Sequence, residues 1–359
     1  MGKKYERITG WVQEEIESGR LRRGARLPSE NELAEEFQVS RQTVRRALEE
    51  LAENGIVEGR RGSGTYVTVN TRRYSEKEIR IAVMLTSVDT YIFPAMIKGM
   101  ESVLSREGCA LQITVTDNSV EKERMLLKDF LRTQSVDGLI AETVKSALPN
   151  PNAGLYRELE QLGIPVLFVN SYYPELEIPH VSMDDRQAGY LAAKHLIECG
   201  HTRIGGIFKS DDGQGRLRYA GYMQALMESD IKIRSSQIVW IDTGELAEMR
   251  EDGGRFLKRL KDCTACVCYN DDTAHKLTEI FRNAGRGVPD QMSVVGIDDS
   301  ALAKLCPVPL TSVKNPVEDL GISAAEKMVG AVCRKEKMET AEFEPELVMR
   351  SSVKVLREI

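Results

Sequence analysis

The stretch SRQTVRRAL, residues 40–48, gathers three arginines and two hydroxyl side chains around one helix start. It does so in a chain of 359 residues whose formal net charge is −6. Ser40 is placed to cap the helix, because its oxygen can accept a hydrogen bond from a free N–H of the first turn. Val44, Ala47, Leu48 and Leu51 fall at i, i+3, i+4 and i+7 and define the apolar stripe. Arg41, Gln42 and Arg45 fall on the opposite side, within the first turn and a half.

Working outward, RLPSENELAEEF (26–37) predicts a preceding helix. Pro28 stops the chain before it, Ser29 and Glu32 form a capping box, and Leu33, Ala34 and Phe37 are its inner face. Tyr5, Ile8, Val12 and Ile16 predict a first amphipathic helix. Two helices joined by the short turn Gln38-Val39 make a helix-turn-helix. Guanidinium and carboxamide groups at the second helix start can pair with base edges in the major groove. NGIVEGRRGSGTYV (54–67) follows as turn, strand, basic glycine-rich tip and strand, which is a wing. Arg60 and Arg61 suit phosphate or minor-groove contact, and Gly62 and Gly64 allow close backbone approach. The tip lacks the GK[ST] ending and opens no helix, so it is not a phosphate loop.

These pieces resemble the winged-helix domain of GntR-type bacterial regulators: LPSE (27–30), VSRxTVRxAL (39–48) and GxGT (62–65) stand as in that family. The resemblance implies that Arg41, Gln42, Thr43 and Arg45 read bases or phosphates. Glu30, Asn31 and Ser40 would support them or contact the backbone, and the wing around Gly62 to Gly64 would enter the minor groove. Residues through Arg73 carry 14 Lys+Arg against 12 Asp+Glu, and the remainder 35 against 43. A mildly basic head on an acidic body points to an anionic partner at one end.

After TVNTRRYSEKE (68–78), a polar stretch without apolar periodicity that reads as a linker, the pattern changes. The runs IRIAVML, ALQITV, DGLIAE, PVLFVN, TRIGGIF, SQIVWI, TACVCY and MSVVGI alternate with amphipathic stretches such as PAMIKGMESVLSR and DDTAHKLTEIFRNAG. Continuous apolar strands separated by helices predict parallel, doubly wound sheets. Eight strands are too many for one small sheet, so two lobes with a cleft are expected, with ligands beyond the carboxyl ends of the strands. The fold class is thus a winged helix-turn-helix head (1–67), a linker (68–78) and a two-lobed α/β body (79–359).

The body resembles the sugar-sensing domain of LacI/GalR regulators, which is built like periplasmic sugar-binding proteins. GHTRIGGIF (200–208), GRLRYAGY (215–222), CYNDDTA (268–274), VPDQMSVVGIDDS (288–300) and PLTSVKNP (309–316) carry the likeness. A GntR head on such a body is similar to the arabinose-repressor group, as are TYIFPAMIKGMES (90–102), ETVKSALPNPNAGLY (142–156), GIFKSDDGQG (206–215) and FEPELVMR (343–350). The resemblance implies a sugar contact for Arg218, Asn270 and Asp298, and an aromatic platform at Tyr91 or Phe93. Glu142 and Lys145 after the third strand, and Lys209, Asp211 and Gln214 after the GGIF strand, the fifth run, complete the candidates; Lys314 and Asn315 lie near the expected lobe crossover. Pentose recognition needs apolar faces for ring C–H groups and paired hydrogen bonds to adjacent hydroxyls.

Other classes fit poorly. No run of about 18 apolar residues is present, so no membrane span is expected. MGKKYERITGWVQEEIE lacks the apolar core of a signal peptide, so a cytoplasmic location is expected. Seven scattered cysteines suit free thiols; Cys266 and Cys268 read as a buried strand rather than half a zinc site. His180, His195, His201 and His275 are not at metal spacing, and His201 reads as a turn residue. No catalytic motif, metal or cofactor is called for. The expected protein is a homodimeric repressor of double-stranded operator DNA, released by a small sugar, L-arabinose foremost. A regulator for another sugar, or a sugar-binding protein whose head is an interaction module, remain the alternatives.

Overall fold

The structure, a computed structural model, describes residues 5–17, 20–21, 24–53, 55–60, 64–68, 78–88 and 91–356. Arg61 and Gly62 of the wing tip and most of the 68–78 stretch lie outside the described residues. The chain divides into two compact units, Met1–Ile79 and Arg80–Ile359.

In the first unit, α1 (Glu6–Glu17), α2 (Glu30–Glu36) and α3 (Arg41–Glu53) precede an antiparallel pair, β1 (Val57–Arg60) and β2 (Gly64–Val67). The capping box is formed: Ser29 Oγ accepts from Glu32 N, and Glu32 Oε2 accepts from Ser29 N. Ser40 Oγ likewise accepts from Thr43 N at 3.3 Å. Ile8, Val12, Ile16, Leu33, Val44, Ala47, Leu48 and Leu51 meet in one core, so each expected stripe is buried against the other two. The register pairs Val57 with Val67 and Arg60 with Gly64. Gly64 sits at φ +115°, where a side chain would be strained. This unit is a winged helix-turn-helix.

The second unit holds two six-stranded sheets. The first has the order β13-β7-β6-β5-β3-β4, with β3 (Arg80–Leu85), β4 (Ala110–Val115), β5 (Gly138–Ala141), β6 (Val166–Val169), β7 (His180–Met183) and β13 (Ala341–Phe343). The second has the order β14-β12-β11-β10-β8-β9, with β8 (Ile204–Lys209), β9 (Ile238–Ile241), β10 (Ala265–Cys268), β11 (Ser293–Asp298), β12 (Thr311–Lys314) and β14 (Glu346–Val348). All pairings are parallel except β12 with β14.

Alternation along the strands shows why these runs are apolar throughout. Cys266 and Cys268 pack with Phe256, Leu277 and Phe281 on one face of the second sheet. Ala265 and Val267 pack with Ala192, Leu196, Tyr222 and Leu226 on the other. A strand covered on both faces has no polar side to show.

Among the described residues the helices of the second unit are α4 (Phe93–Arg106), α5 (Val120–Thr133), α6 (Ala153–Gln161), α7 (Asp185–Glu198), α8 (Gly213–Glu228), α9 (Thr243–Ala247), α10 (Gly253–Arg259), α11 (Asp271–Asn283), α12 (Ala301–Leu305) and α13 (Val317–Arg334). The chain passes between lobes three times: from β7 into α7, from β12 into α13, which packs on α4 of the first lobe, and from β13 to β14. All eight expected strands are present. The four that sequence reading did not single out, β7, β12, β13 and β14, are three or four residues long, and β12 reads TSVK, with one aliphatic side chain.

Candidate functional site

The strand ends of both lobes face one cavity of about 350 Å³. Thr86, Ser87, Tyr91 and Phe93 follow β3; Asn118 follows β4; Glu142, Lys145 and Ser146 follow β5; Asn170 follows β6. From the second lobe come Lys209, Asp212, Gln214 and Arg218 around β8 and α8, Thr243 after β9, Tyr269 and Asn270 after β10, and Asp298 at the end of β11. The nine effector candidates Tyr91, Phe93, Glu142, Lys145, Lys209, Gln214, Arg218, Asn270 and Asp298 all line this cavity. Asp211, Lys314 and Asn315 do not; Asp211 instead accepts from Thr243 Oγ1 at 2.7 Å.

Arg218 organises the floor. It is fully buried, its Nε donates to Asp185 at 2.8 Å, Nη1 to Tyr269 O at 2.7 Å, and Nη2 to Asp298 at 3.3 Å. Burial works against its charge, but Asp185 and Asp298 more than offset that and hold its pKa well above the usual value. Burial raises the Asp185 carboxyl to about 6 in spite of the guanidinium. Asn315 Nδ2 donates to the same Asp298 oxygen at 3.3 Å, so the crossover segment braces the site.

A second cluster sits beside it. Asp212 accepts from Tyr269 Oη at 2.6 Å and Lys209 Nζ at 3.2 Å. Burial pushes Asp212 up, yet Lys209 and the tyrosine bond bring it below the ordinary range. Lys209 is opposed by burial and held up by Asp212 and Asp211, so the pair stays ionised. Glu142 is buried, and its carboxylate accepts from Thr86 N at 2.8 Å and from Asn170 Nδ2 at 2.7 Å. Desolvation raises its pKa despite these donors.

Several bonds join the lobes around the cavity. Gly213 N donates to Ser146 Oγ at 2.9 Å, Asn118 Nδ2 to Thr243 Oγ1 at 2.7 Å, and Arg216 Nη1 to Ala147 O at 3.1 Å. Asn270 caps α11, its Oδ1 accepting from Thr273 N at 2.9 Å. Sequence reading passed over Asn118, Asn170, Ser146, Asp212 and Tyr269. One signal was available: Asn170 is the polar residue that ends the apolar run PVLFVN, and it adopts φ +65°.

In the head, Arg41, Gln42 and Asn31 are exposed. Arg45 makes a two-pronged pair with Glu30, Nε to Oε1 at 3.3 Å and Nη2 to Oε2 at 3.1 Å. Thr43 Oγ1 lies 2.9 Å from Ser40 Oγ. The Arg60 guanidinium stacks 4.9 Å over Tyr66. Among the described residues no group of three or more His, Cys, Asp or Glu could hold a metal ion, and no helix is long and apolar enough to cross a membrane. His201 is buried, with Nδ1 2.9 Å from Thr264 Oγ1 and Nε2 3.0 Å from Lys354 O, a structural turn residue.

Residues 4–67 match the gntR family of bacterial regulatory proteins, and residues 193–353 match the periplasmic binding protein-like domain. The chain is 38% identical over 364 residues to the arabinose metabolism transcriptional repressor of Halalkalibacterium halodurans, covering 98% of this chain and 97% of that one. It is 36% identical over 356 residues to the repressor of the same name from Geobacillus stearothermophilus, covering 98% of each. The solved structure of transcription regulator CcpA of Lactococcus lactis superposes with a TM-score of 0.69 at 25% identity, covering 77% of this chain and 100% of that one. With a winged-helix head and a two-lobed LacI-type sensor in one chain, the protein belongs to the arabinose metabolism transcriptional repressor family, and is a sugar-responsive regulator rather than an enzyme.

Proposed function

We propose that this repressor binds a pseudo-palindromic operator as a cytoplasmic homodimer and is released by L-arabinose held between the lobes. The observation that carries the reading is the convergence of nine side chains, spread from residue 91 to residue 298, on a single cavity of about 350 Å³. They supply what a pentose requires. Arg218, Asn270, Glu142, Lys145, Lys209 and Gln214 bond to hydroxyls, Asp298 orients Arg218 among them, and Phe93 and the Tyr91 ring meet C–H faces. The names of the two full-length relatives support arabinose over other sugars.

In this reading residues 1–67 form the DNA-binding unit, 68–78 connect it, and 79–359 bind the effector and the second protomer. Arg41, Gln42, Thr43 and Arg45 reach bases or phosphates in the major groove, with Glu30, Asn31 and Ser40 in support. Arg60, Arg61, Gly62 and Gly64 serve at the wing. The effector must bind the operator-incompetent state more tightly than the competent one, since equal affinity shifts nothing. The test is a thermal-shift panel of L-arabinose, D-xylose, D-ribose, D-galactose, D-glucose and trehalose, followed by operator-release titration with any hit. L-Arabinose at a hundred times its Kd adds about 2.7 kcal/mol of stability. A dimer whose operator affinity ignores L-arabinose overturns the proposal.

A further inference from the structure

Tyr91 belongs to the first lobe, in the turn after β3, yet its hydroxyl is held by the second. The Oη donates to Asp298 Oδ2 at 2.5 Å and accepts from Asp271 N at 3.2 Å, with Ile297 O at 3.3 Å. Asp271 is the first residue of α11, so its N–H has no acceptor within the helix and needs an oxygen from elsewhere. The other Asp298 oxygen is already taken by Arg218 and Asn315, each at 3.3 Å. Oδ2 is therefore the oxygen a ligand would reach, and the tyrosine holds it. Giving a proton to a carboxylate while accepting from a backbone N–H is how a sugar hydroxyl would bond in this corner of the cavity.

The backbone marks the same position. Tyr91 adopts φ +66°, a left-handed conformation that strains a bulky residue and suits Gly or Asn. Strain of this kind persists where the surroundings over-determine it, and it clusters at ligand sites.

Resting on the sugar reading above, we infer that the Tyr91 hydroxyl fills a hydroxyl position of the cleft and thereby selects a pentose against the matching hexose. L-Arabinopyranose and D-galactopyranose share the configuration of their ring hydroxyls and differ by one exocyclic hydroxymethyl arm. A cavity that takes one ring takes the other unless that arm is refused. With the Asp298 and Asp271 partners satisfied by the protein, the arm finds neither space nor a free partner, while the pentose loses nothing.

The test uses the full chain, with calorimetric titration of both sugars into wild type, Tyr91→Phe and Tyr91→Gly. Wild type is expected to prefer L-arabinose by at least about tenfold, the scale of discrimination one carbon can supply. Tyr91→Gly, which also relieves the backbone, is expected to bring the ratio towards one, with Tyr91→Phe between. Hydrogen exchange of the Asp271 amide in the sugar-free protein reads occupancy directly, and its protection is expected to drop in Tyr91→Phe. L-Arabinose binding with an unmoved ratio in both variants overturns the role of the tyrosine alone, as does unchanged Asp271 protection. Failure of both sugars to bind all three proteins overturns the sugar reading itself, and selection by Tyr91 falls with it.

Discussion

Gly189→Ala tests how the cleft arginine is positioned. Gly189 on α7 meets the backbone of α8 at Arg218: a Cβ there would lie 1.9 Å from Arg218 O, 2.6 Å from its carbonyl carbon and 2.7 Å from its Cα. Gly221 on α8 makes the reciprocal approach, with a Cβ 1.8 Å from Arg186 O. Helix propensity alone favours the substitution by about 1 kcal/mol. Packing opposes it, because 1.9 Å falls short of the 3.4 Å where ordinary contact begins by about 1.5 Å, and the obstacle is backbone that cannot rotate aside. If α8 shifts by that amount, Arg218 loses the 3.3 Å bond to Asp298 and the 2.7 Å bond to Tyr269 O. Overpacking costs about 1–3 kcal/mol, and opening a buried ion pair about 3–5 kcal/mol if complete. The clash wins: a net destabilisation of about 2–5 kcal/mol is expected, with affinity for the sugar effector down at least about tenfold. Urea denaturation followed at the two tryptophans, Trp11 in the head and Trp240 in the body, resolves the units, and calorimetry reads the sugar. The head transition should not move. An unmoved body transition with wild-type sugar affinity would refute the claim that bare backbone contact at Gly189 sets Arg218.

Two further outcomes are expected. Arg41→Ala should cost about 1–3 kcal/mol of specific operator affinity and leave sugar binding intact, as gel-shift and calorimetry would show; unchanged operator binding would remove Arg41 from the reading set. Asp271 is raised to about 7, first by burial and then by the charge of Asp298. Its folded pKa lies above its unfolded one, so its contribution to stability is fully present below about pH 4 and is lost as pH rises through about 7. Asp271→Asn removes that dependence, and the variant should gain on wild type by roughly 3 kcal/mol between pH 5 and pH 8. A difference in stability that stays flat across this range would show that Asp271 does not carry the proton.

The head was legible in the sequence because its determinants are local. Ser29 caps and Glu32 answers three residues later; Val44, Ala47, Leu48 and Leu51 declare their stripe by spacing alone. Most of the eight main strands declared themselves too, since burial on both faces leaves no polar position in runs such as ACVC and VLFV; the edge strand β4, ALQITV, instead exposes Gln112. The candidate ligand residues were legible through blocks shared with LacI/GalR sensors rather than by position alone, since Arg218 stands in the second turn of α8 and not at a strand end. Their partnerships were not. That Glu142 is held by Thr86 and Asn170, or that Arg45 in the head folds onto Glu30, depends on which loops become neighbours.

The sequence by itself therefore determined the three helices of the head, the eight main strands and the alternation of strand with helix in the body. Only the tertiary structure decided that the chain crosses between lobes three times through strands of three or four residues, too short to carry a periodic signal. It alone decided that Tyr91 bonds to Asp298, 207 residues away, rather than to anything in its own lobe. The physical reason is range: capping, spacing and burial patterns act over a few residues and are written in order, whereas a hydrogen bond across a cleft depends on how two separately folded sheets come to face each other.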